Sequence, residues 1–235
     1  HELRHPPAYI HVFGPLKKLG RVHHPERIHQ YGELIETESR RLSQLVNNIL
    51  DFSKIESGRK EYEFSEVSVE RLVDEAVAAF AHQARQLGFE IEVVRPDAPL
   101  PPVLADGAAM SQAVLNLLDN AVKYSGESRR VVVRMGRVGG AATVSVVDFG
   151  IGIPTEELGR IFRRFHRVSS SLVHDVKGSG LGLALVKHVV EAHGGRVSVA
   201  SRPGQGSTFT LSVPFEPTRA QARTPSGVEE MGTAT

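Results

Sequence analysis

Asp148 closes an apolar run, VSVVDFGIGIP, and Gly150 and Gly152 follow it at once. The run reads as a strand that delivers one carboxylate, and the glycines let the chain turn tightly beside it. About thirty residues on, Gly178, Gly180 and Gly182 open a helix that continues through Leu183 in GSGLGLALVKHVV. Backbone N–H groups at such a helix start can surround phosphate oxygens. Upstream, Asn116 and Asn120 lie four apart on a helix and share a face, and Lys123 and Tyr124 continue the stripe. Two amide oxygens and a lysine can hold a Mg²⁺ ion and the phosphates it bridges. Taken singly, the asparagines read as a solvated helix edge, Asp148 as a turn residue and the glycines as helix packing. Taken together they read as a nucleotide site.

The chain must supply elements that position these groups. At 235 residues it fits one large domain or two small ones. A net charge of +1 gives no general affinity for polyanions, so no nucleic-acid partner is expected. The absence of cysteine excludes disulfides and thiolate metal sites and fits a reducing compartment. No apolar run reaches the roughly 18 residues of a membrane span. The chain starts at His1 rather than Met and shows no signal peptide, which reads as a piece lacking its upstream part. Any membrane attachment is then expected only through that missing region, with this part in the cytoplasm.

Ile28, Ile35, Leu42 and Ile49 recur every seven residues, interleaved with Tyr31, Leu45 and Phe52, with Glu38 interrupting the second series. That heptad pattern predicts a long helix in a bundle. Pro25 suits its first turn and Gly58 its end. His1 to about Leu19, with Leu3, Ile10, Phe13 and Leu16, is expected to pair with it across Gly20–His24, kinked at Pro6, Pro7 and Pro15. Two helices bury too little alone, so a dimer forming a four-helix bundle is the natural completion.

From Tyr62 the pattern becomes α/β. Strand-like runs fall at Tyr62–Val67, Phe89–Val94, Arg130–Val138, Thr143–Phe149, Arg196–Ser201 and Thr208–Val213. Helices are predicted over Val69–Gln86, Gly107–Tyr124 and Leu181–His193, and Gly139-Gly140 reads as a hairpin turn. The fold class is α+β: a helical hairpin over 1–60, then an α/β sandwich over 61–216 with a mixed sheet and helices on one face. Residues 217–235 have little to bury and are expected to be a disordered tail.

Three other chemistries are considered and set aside. HELRH is literally H-E-x-x-H, the zinc-protease pattern, with His11 at the spacing of a third ligand. Ala8 replaces the glycine of the longer form, and Pro6 and Pro7 follow where the ligand helix must turn. The D-F-G at 148–150 lacks the H-R-D-x-x-x-x-N loop of Ser/Thr/Tyr kinases, and no G-x-x-x-x-G-K-[ST] loop occurs. The remaining histidines are scattered and suggest no further metal site.

HELRHPP (1–7), NLLDNAVKYS (116–125), DFGIGIP (148–154), FRRFHRV (162–168) and GSGLGLALV (178–186) occur in that order. Together they resemble the H, N, first glycine, F and second glycine boxes of the sensor histidine kinases of two-component systems. The resemblance runs from His1 to about Phe215. It implies a dimerisation and phosphoacceptor domain joined to an ATP-binding domain of the Bergerat type. Asp148 then resembles the carboxylate that accepts a hydrogen bond from the adenine amine, favouring ATP over GTP. Gly150 and Gly152 let the backbone pass the base. Asn120, supported by Asn116, resembles the Mg²⁺ ligand, while Lys123, Tyr124 and Arg164 look like phosphate contacts. Gly178, Gly180, Gly182 and Leu183 line the nucleotide. Phe162 and Phe165 are expected to pack in the core beneath a lid at about 168–178. Arg163 and His166 stand where the F box usually has an acid and an aromatic.

By the same resemblance His1 is the phosphoacceptor, a neutral imidazole being nucleophilic near neutral pH. Glu2 is the acid that orients the ring and takes its proton. The implied function is an ATP-dependent, autophosphorylating protein-histidine kinase that passes the phosphoryl group from His1 to an Asp of a response-regulator receiver domain. His5 stands where the family has the Thr or Asn that supports dephosphorylation of the regulator, and Pro7 replaces the usual leucine, so the resemblance carries kinase activity further than phosphatase activity. Two readings stay open beside it. ATPases of the same fold lack the heptad hairpin bearing His1. A scaffold would dimerise and bind nucleotide without catalysis.

Overall fold

The computed structural model describes residues 25–168 and 180–216. Among these, 25–61 with 160–168 and 180–185 form one compact unit, and 62–159 with 186–216 form a second.

The first unit is built on α1 (Pro25–Glu56). Its end is closed by Gly58 at φ 66, with the Gly58 N–H donating to the Ile55 carbonyl and the Arg59 N–H to the Lys54 carbonyl. That pair of bonds satisfies the last helical carbonyls and needs a left-handed residue, which glycine supplies without strain. Along α1, Ile35, Leu42 and Phe52 are half-buried, while Val46, Ile49 and Leu50 are exposed. The partner arm expected at 1–19 and its connection lie outside the described residues.

The second unit carries the sheet. Its elements are β1 (Ser65–Val67), α2 (Val69–Gln86), β2 (Glu90–Val94), β3 (Val103–Ala105), α3 (Gly107–Lys123), β4 (Arg130–Val138), β5 (Ala141–Asp148), β6 (Arg196–Ser201) and β7 (Ser207–Pro214). A further helix, α4 (Gly182–Ala192), leads into β6. Five strands run in the order β2-β4-β5-β7-β6, parallel between β2 and β4 and antiparallel elsewhere. Burial alternates along β7, as a strand with one covered face requires. α2 and α3 pack on each other, with α2 against β2 and α3 against β4 and β5. Val73, Val114, Leu117 and Leu118 from the helices, with Val131, Val133, Val146 and Leu211 from the strands, are fully buried. The helices start where short polar caps allow. The Ser68 hydroxyl accepts from the Arg71 N–H, and the Asp106 carboxylate accepts from the Ala109 N–H.

The mixed sheet, the helices and the Gly139-Gly140 hairpin follow the sequence pattern. Two features differ. The run at Tyr62–Val67 shortens to Ser65–Val67 and leaves the main sheet, pairing instead with β3. Neither three-residue strand is long enough to show a period. The strand read as Thr143–Phe149 is Ala141–Asp148, so Asp148 is its last residue and Phe149 is exposed. Among the described residues no helix is long and apolar enough to cross a membrane.

The turn from α4 to β6 has no room for a side chain. A Cβ on Gly195 would lie 2.1 Å from the Ser212 carbonyl oxygen of β7. Gly195→Ala is therefore expected to lower stability by at least about 1–3 kcal/mol. Gly140→Ala faces open space and should stay within about 0.5 kcal/mol. Denaturant melts of the two variants side by side check both.

Candidate functional site

Asp148 ends β5, the middle strand, opposite Val131 of β4 and Ser207 of β7. It is only 5 % exposed. Its Oδ1 accepts the Gly150 N–H at 3.0 Å and the Ser207 N–H at 3.2 Å. Burial pushes its pKa up, and the hydrogen bonds from Gly150 and Ser207 oppose that rise. Ser201 braces the same corner. Its hydroxyl donates to the Gly206 carbonyl at 2.8 Å, lies 3.0 Å from the Ser207 hydroxyl, and accepts the Ile153 N–H at 2.8 Å.

The glycines explain how the loop after Asp148 is held. A Cβ on Gly150 would sit 2.0 Å from the Tyr124 carbonyl oxygen, and one on Gly152, at φ 67, would sit 2.0 Å from that of Arg202. The Ile151 N–H donates to the Tyr124 carbonyl at 3.1 Å, and the Gly204 N–H to the Ile151 carbonyl at 2.8 Å. The loop is thus stitched on one side to the end of α3 and on the other to the β6–β7 turn. Gly206, at φ 81, lets that turn lie against the Asp148 carbonyl. Sequence reasoning missed Ser201, Gly206 and Ser207, because their role depends on strand register across the sheet. The glycine-rich SRPGQGS before β7 was the available signal.

α3 brings the asparagines to this loop through Tyr124, its first residue beyond the helix. Asn120 is half-buried, but Asn116 is 5 % exposed, deeper than the edge position expected of it. The helix packs against both α2 and the sheet, so its covered arc is wide enough to include Asn116. Among the described residues, neither amide side chain has a hydrogen-bond partner. Two neutral amide oxygens suit a Mg²⁺ ion, which takes few protein ligands and fills its shell with water and phosphate oxygens. Among the described residues no group of three His, Cys, Asp or Glu could hold a metal. Lys123 pairs with Asp119 one turn back on α3, and Tyr124 is half-buried.

The first unit holds Arg164, Gly180, Gly182 and Leu183. Arg164 is ion-paired to Glu56 at the end of α1, and its guanidinium lies 4.7 Å from the Phe52 ring centroid. Phe165 corrects the expectation of a core residue: it is 66 % exposed and meets Phe52 edge-on, with centroids 6.0 Å apart. Its φ of 57, unusual for a bulky residue, turns the ring outward. Phe162 is half-buried. The Phe165 N–H donates to the Gly180 carbonyl at 3.0 Å, and a Cβ on Gly180 would strike the Phe165 backbone at 2.9 Å. Gly182 starts α4 with open space beside it, and Leu183 is half-buried. His1, Glu2, His5, Gly178 and, past Val168, the lid expected at about 168–178 lie outside the described residues.

The raised pKa of Asp148 has a sign that can be tested. The folded chain holds that proton more tightly than the unfolded chain, so stability falls as pH rises from the unfolded value, about 4, through the folded one. Asp148→Asn should accordingly raise the Tm of ligand-free protein at pH 7, with the gain closing as pH falls toward about 4. Thermal melts across that range check it.

Known proteins share this arrangement. Residues 105–217 match the family model described as histidine kinase-, DNA gyrase B-, and HSP90-like ATPase. Residues 1–58 match the His Kinase A (phospho-acceptor) domain. The sensor-like histidine kinase SenX3 of Mycolicibacterium smegmatis is 34% identical over 218 residues, covering 92% of this chain and 56% of that protein. Among solved structures, the mycobacterial sensor histidine kinase MprB is 33% identical with a TM-score of 0.55, covering 66% of this chain and 100% of that one. The histidine kinase ThkA in complex with the response regulator protein TrrA is 25% identical with a TM-score of 0.65, covering 92% of this chain and 60% of that one. The chain spans from about a quarter to a little over half the length of the curated relatives it matches. The buried strand-end carboxylate, the asparagine-bearing helix and these matches agree, and the chain belongs to the sensor histidine kinases, carrying that family's phosphoacceptor segment ahead of its ATPase domain.

Proposed function

We propose that this chain transfers the γ-phosphoryl group of ATP to His1 and then to an Asp of a response-regulator receiver domain. The observation that carries the reading is Asp148: a buried carboxylate fixed by two backbone N–H groups, stitched by its loop to the helix that bears Asn116 and Asn120. The exocyclic amine of adenine would donate a further hydrogen bond to this carboxylate. Guanine would present a carbonyl there and be repelled. Gly150 and Gly152 keep this wall free of side chains.

The amide oxygens of Asn116 and Asn120 would hold Mg²⁺, which when bound neutralises phosphate charge and orients the polyphosphate. Lys123 would exchange Asp119 for a phosphate oxygen, and Tyr124 would lie beside the chain of phosphates. Gly178, Gly180, Gly182 and Leu183 would line the nucleotide at the start of α4. Arg164 would leave Glu56 to meet the terminal phosphate. The His1 imidazole nitrogen attacks the γ-phosphorus in line, the bond to the ADP oxygen breaks, and Glu2 takes the ring proton. Positioning and charge neutralisation supply most of the acceleration in such transfers.

The working unit is a homodimer. The exposed Val46, Ile49 and Leu50 on α1 would close against a second copy in a four-helix bundle formed by residues 1–60, beside an ATP-binding domain over 61–216 and a tail over 217–235. The core works in the cytoplasm, where ATP and the receiver domain are found. With His5 in place of Thr or Asn, dephosphorylation of the regulator is expected to be weak.

Incubation with γ-labelled ATP and Mg²⁺ tests the reading. Acid-labile, base-stable label should appear on the protein and vanish in His1→Ala. Asp148→Ala should lose ATP binding and label together, by at least about 100-fold in affinity, corresponding to the loss of a buried charged hydrogen bond. Label persisting in His1→Ala, or ATP hydrolysis with no label at any time, would overturn it.

A further inference from the structure

His193 follows α4 and is completely buried, with 0 % of its surface exposed. Its Nδ1 lies 2.6 Å from the Val189 carbonyl oxygen, one turn back. Its Nε2 lies 2.9 Å from the Asp106 backbone nitrogen, which donates to it. A carbonyl can only accept and a backbone N–H can only donate, so the two partners fix the ring as the neutral Nδ1–H tautomer. Asp106 is the cap of α3. Its carboxylate accepts the Ala109 N–H at 2.9 Å through Oδ1 and the Glu63 N–H at 3.1 Å through Oδ2. The start of α3 is therefore held from two sides, by its own cap and by His193. Aromatic rings fix the imidazole in its plane: Tyr62 at 5.1 Å and Phe64 at 4.9 Å between centroids.

We propose that His193 is a positioning residue of the nucleotide site, acting as a neutral acceptor that sets the start of α3 and with it the placement of Asn116 and Asn120. This rests on the reading of α3 as the helix that holds the metal and phosphates. It has a consequence for pH. Protonation would place an N–H of the ring against the N–H of Asp106, two donors facing each other, and the clamp would open. The groups that face the ring are the Asp106 carboxylate and the Tyr62 phenol, with Glu63 behind Asp106 and His188 against Tyr62, its ring centroid 6.4 Å from that of Tyr62. Burial holds the imidazole below its ordinary pKa, while the Val189 carbonyl and the Asp106 charge work the other way. Since the unfolded chain takes up the proton first, stability is fully present above about pH 6.5 and falls as pH drops below it, while the clamp itself opens as pH falls through the lower, folded value.

The test compares the whole chain with His193→Gln, whose amide can accept from Asp106 and donate to Val189 without titrating, and with His193→Phe, which fills the space and makes neither bond. Mg²⁺–ATP affinity is measured by calorimetry from pH 7.5 to 5.5, with a thermal melt for each protein. At pH 7.5 the Gln variant should bind within about twofold of the parent and the Phe variant about tenfold more weakly. On acidification the parent should lose affinity faster than the Gln variant. Asp148 is common to both, so its own titration cancels in the ratio. Ring ¹⁵N shifts of the parent should show the Nδ1–H neutral tautomer at pH 7. Parent and Gln variant falling in parallel would overturn the proposal, as would an Nε2–H tautomer. Should His193→Phe not fold, the parent-to-Gln ratio still decides. Asn120→Ala separates the two readings: if it binds Mg²⁺–ATP as the parent does, the assignment of α3 has failed, whereas weak binding by Asn120→Ala with parallel parent and Gln profiles means that only the His193 proposal has failed.

Discussion

A carboxylate buried at the end of the middle strand dictates much of what surrounds it. Taking an ion out of water costs several kcal/mol, and Asp148 recovers part of that from the N–H groups of Gly150 and Ser207. The bond from Ser207 forms in the register of β5 against β7 that sets Asp148 opposite Ser207. That register in turn brings the turn before β7 against the Asp148 backbone, where only a residue without a side chain fits, and Gly206 occupies the place. One strand-end residue thereby goes with a strand alignment, a turn and a glycine.

The same economy governs α3. Its first turn is held by the Asp106 cap and by His193, and the Tyr124 carbonyl just past its last turn accepts the Ile151 N–H from the loop that follows Asp148. A helix pinned at both ends cannot slide, and the polar residues along it keep their height relative to the strand ends. Leu117 and Leu118 supply the apolar half of that restraint, fully buried between helix and sheet.

Much of this was legible in the order of residues. The period of Met110, Ala113, Val114, Leu117, Leu118 and Ala121 gives α3 its buried face, and Val69–Gln86 is read with its observed ends. What could not be read depends on pairs distant in sequence. Asp148 meets Ser207 across 59 positions, and Arg164 meets Glu56 across 108. No local pattern records either. β3, three residues after a proline-rich stretch, is too short for its alternation to register. Phe165 was misplaced for a different reason: the resemblance implied a core role, but its backbone adopts a left-handed angle that no residue pattern encodes.

Between the bonds that Asp148 and Ser201 accept from Gly150 and Ile153, the loop is held by main-chain atoms: the carbonyls of Tyr124 and Ile151 and the amides of Ile151 and Gly204. Main-chain partners are supplied by every residue type except proline at a donor. Neighbours such as Ile151 and Arg202 can therefore drift in identity while the wall keeps its shape. The glycines have no such latitude, because there the shape is the absence of a side chain. A Cβ at Gly150, Gly152 or Gly206 would therefore displace backbone rather than a side chain, and the wall would have to move as a whole.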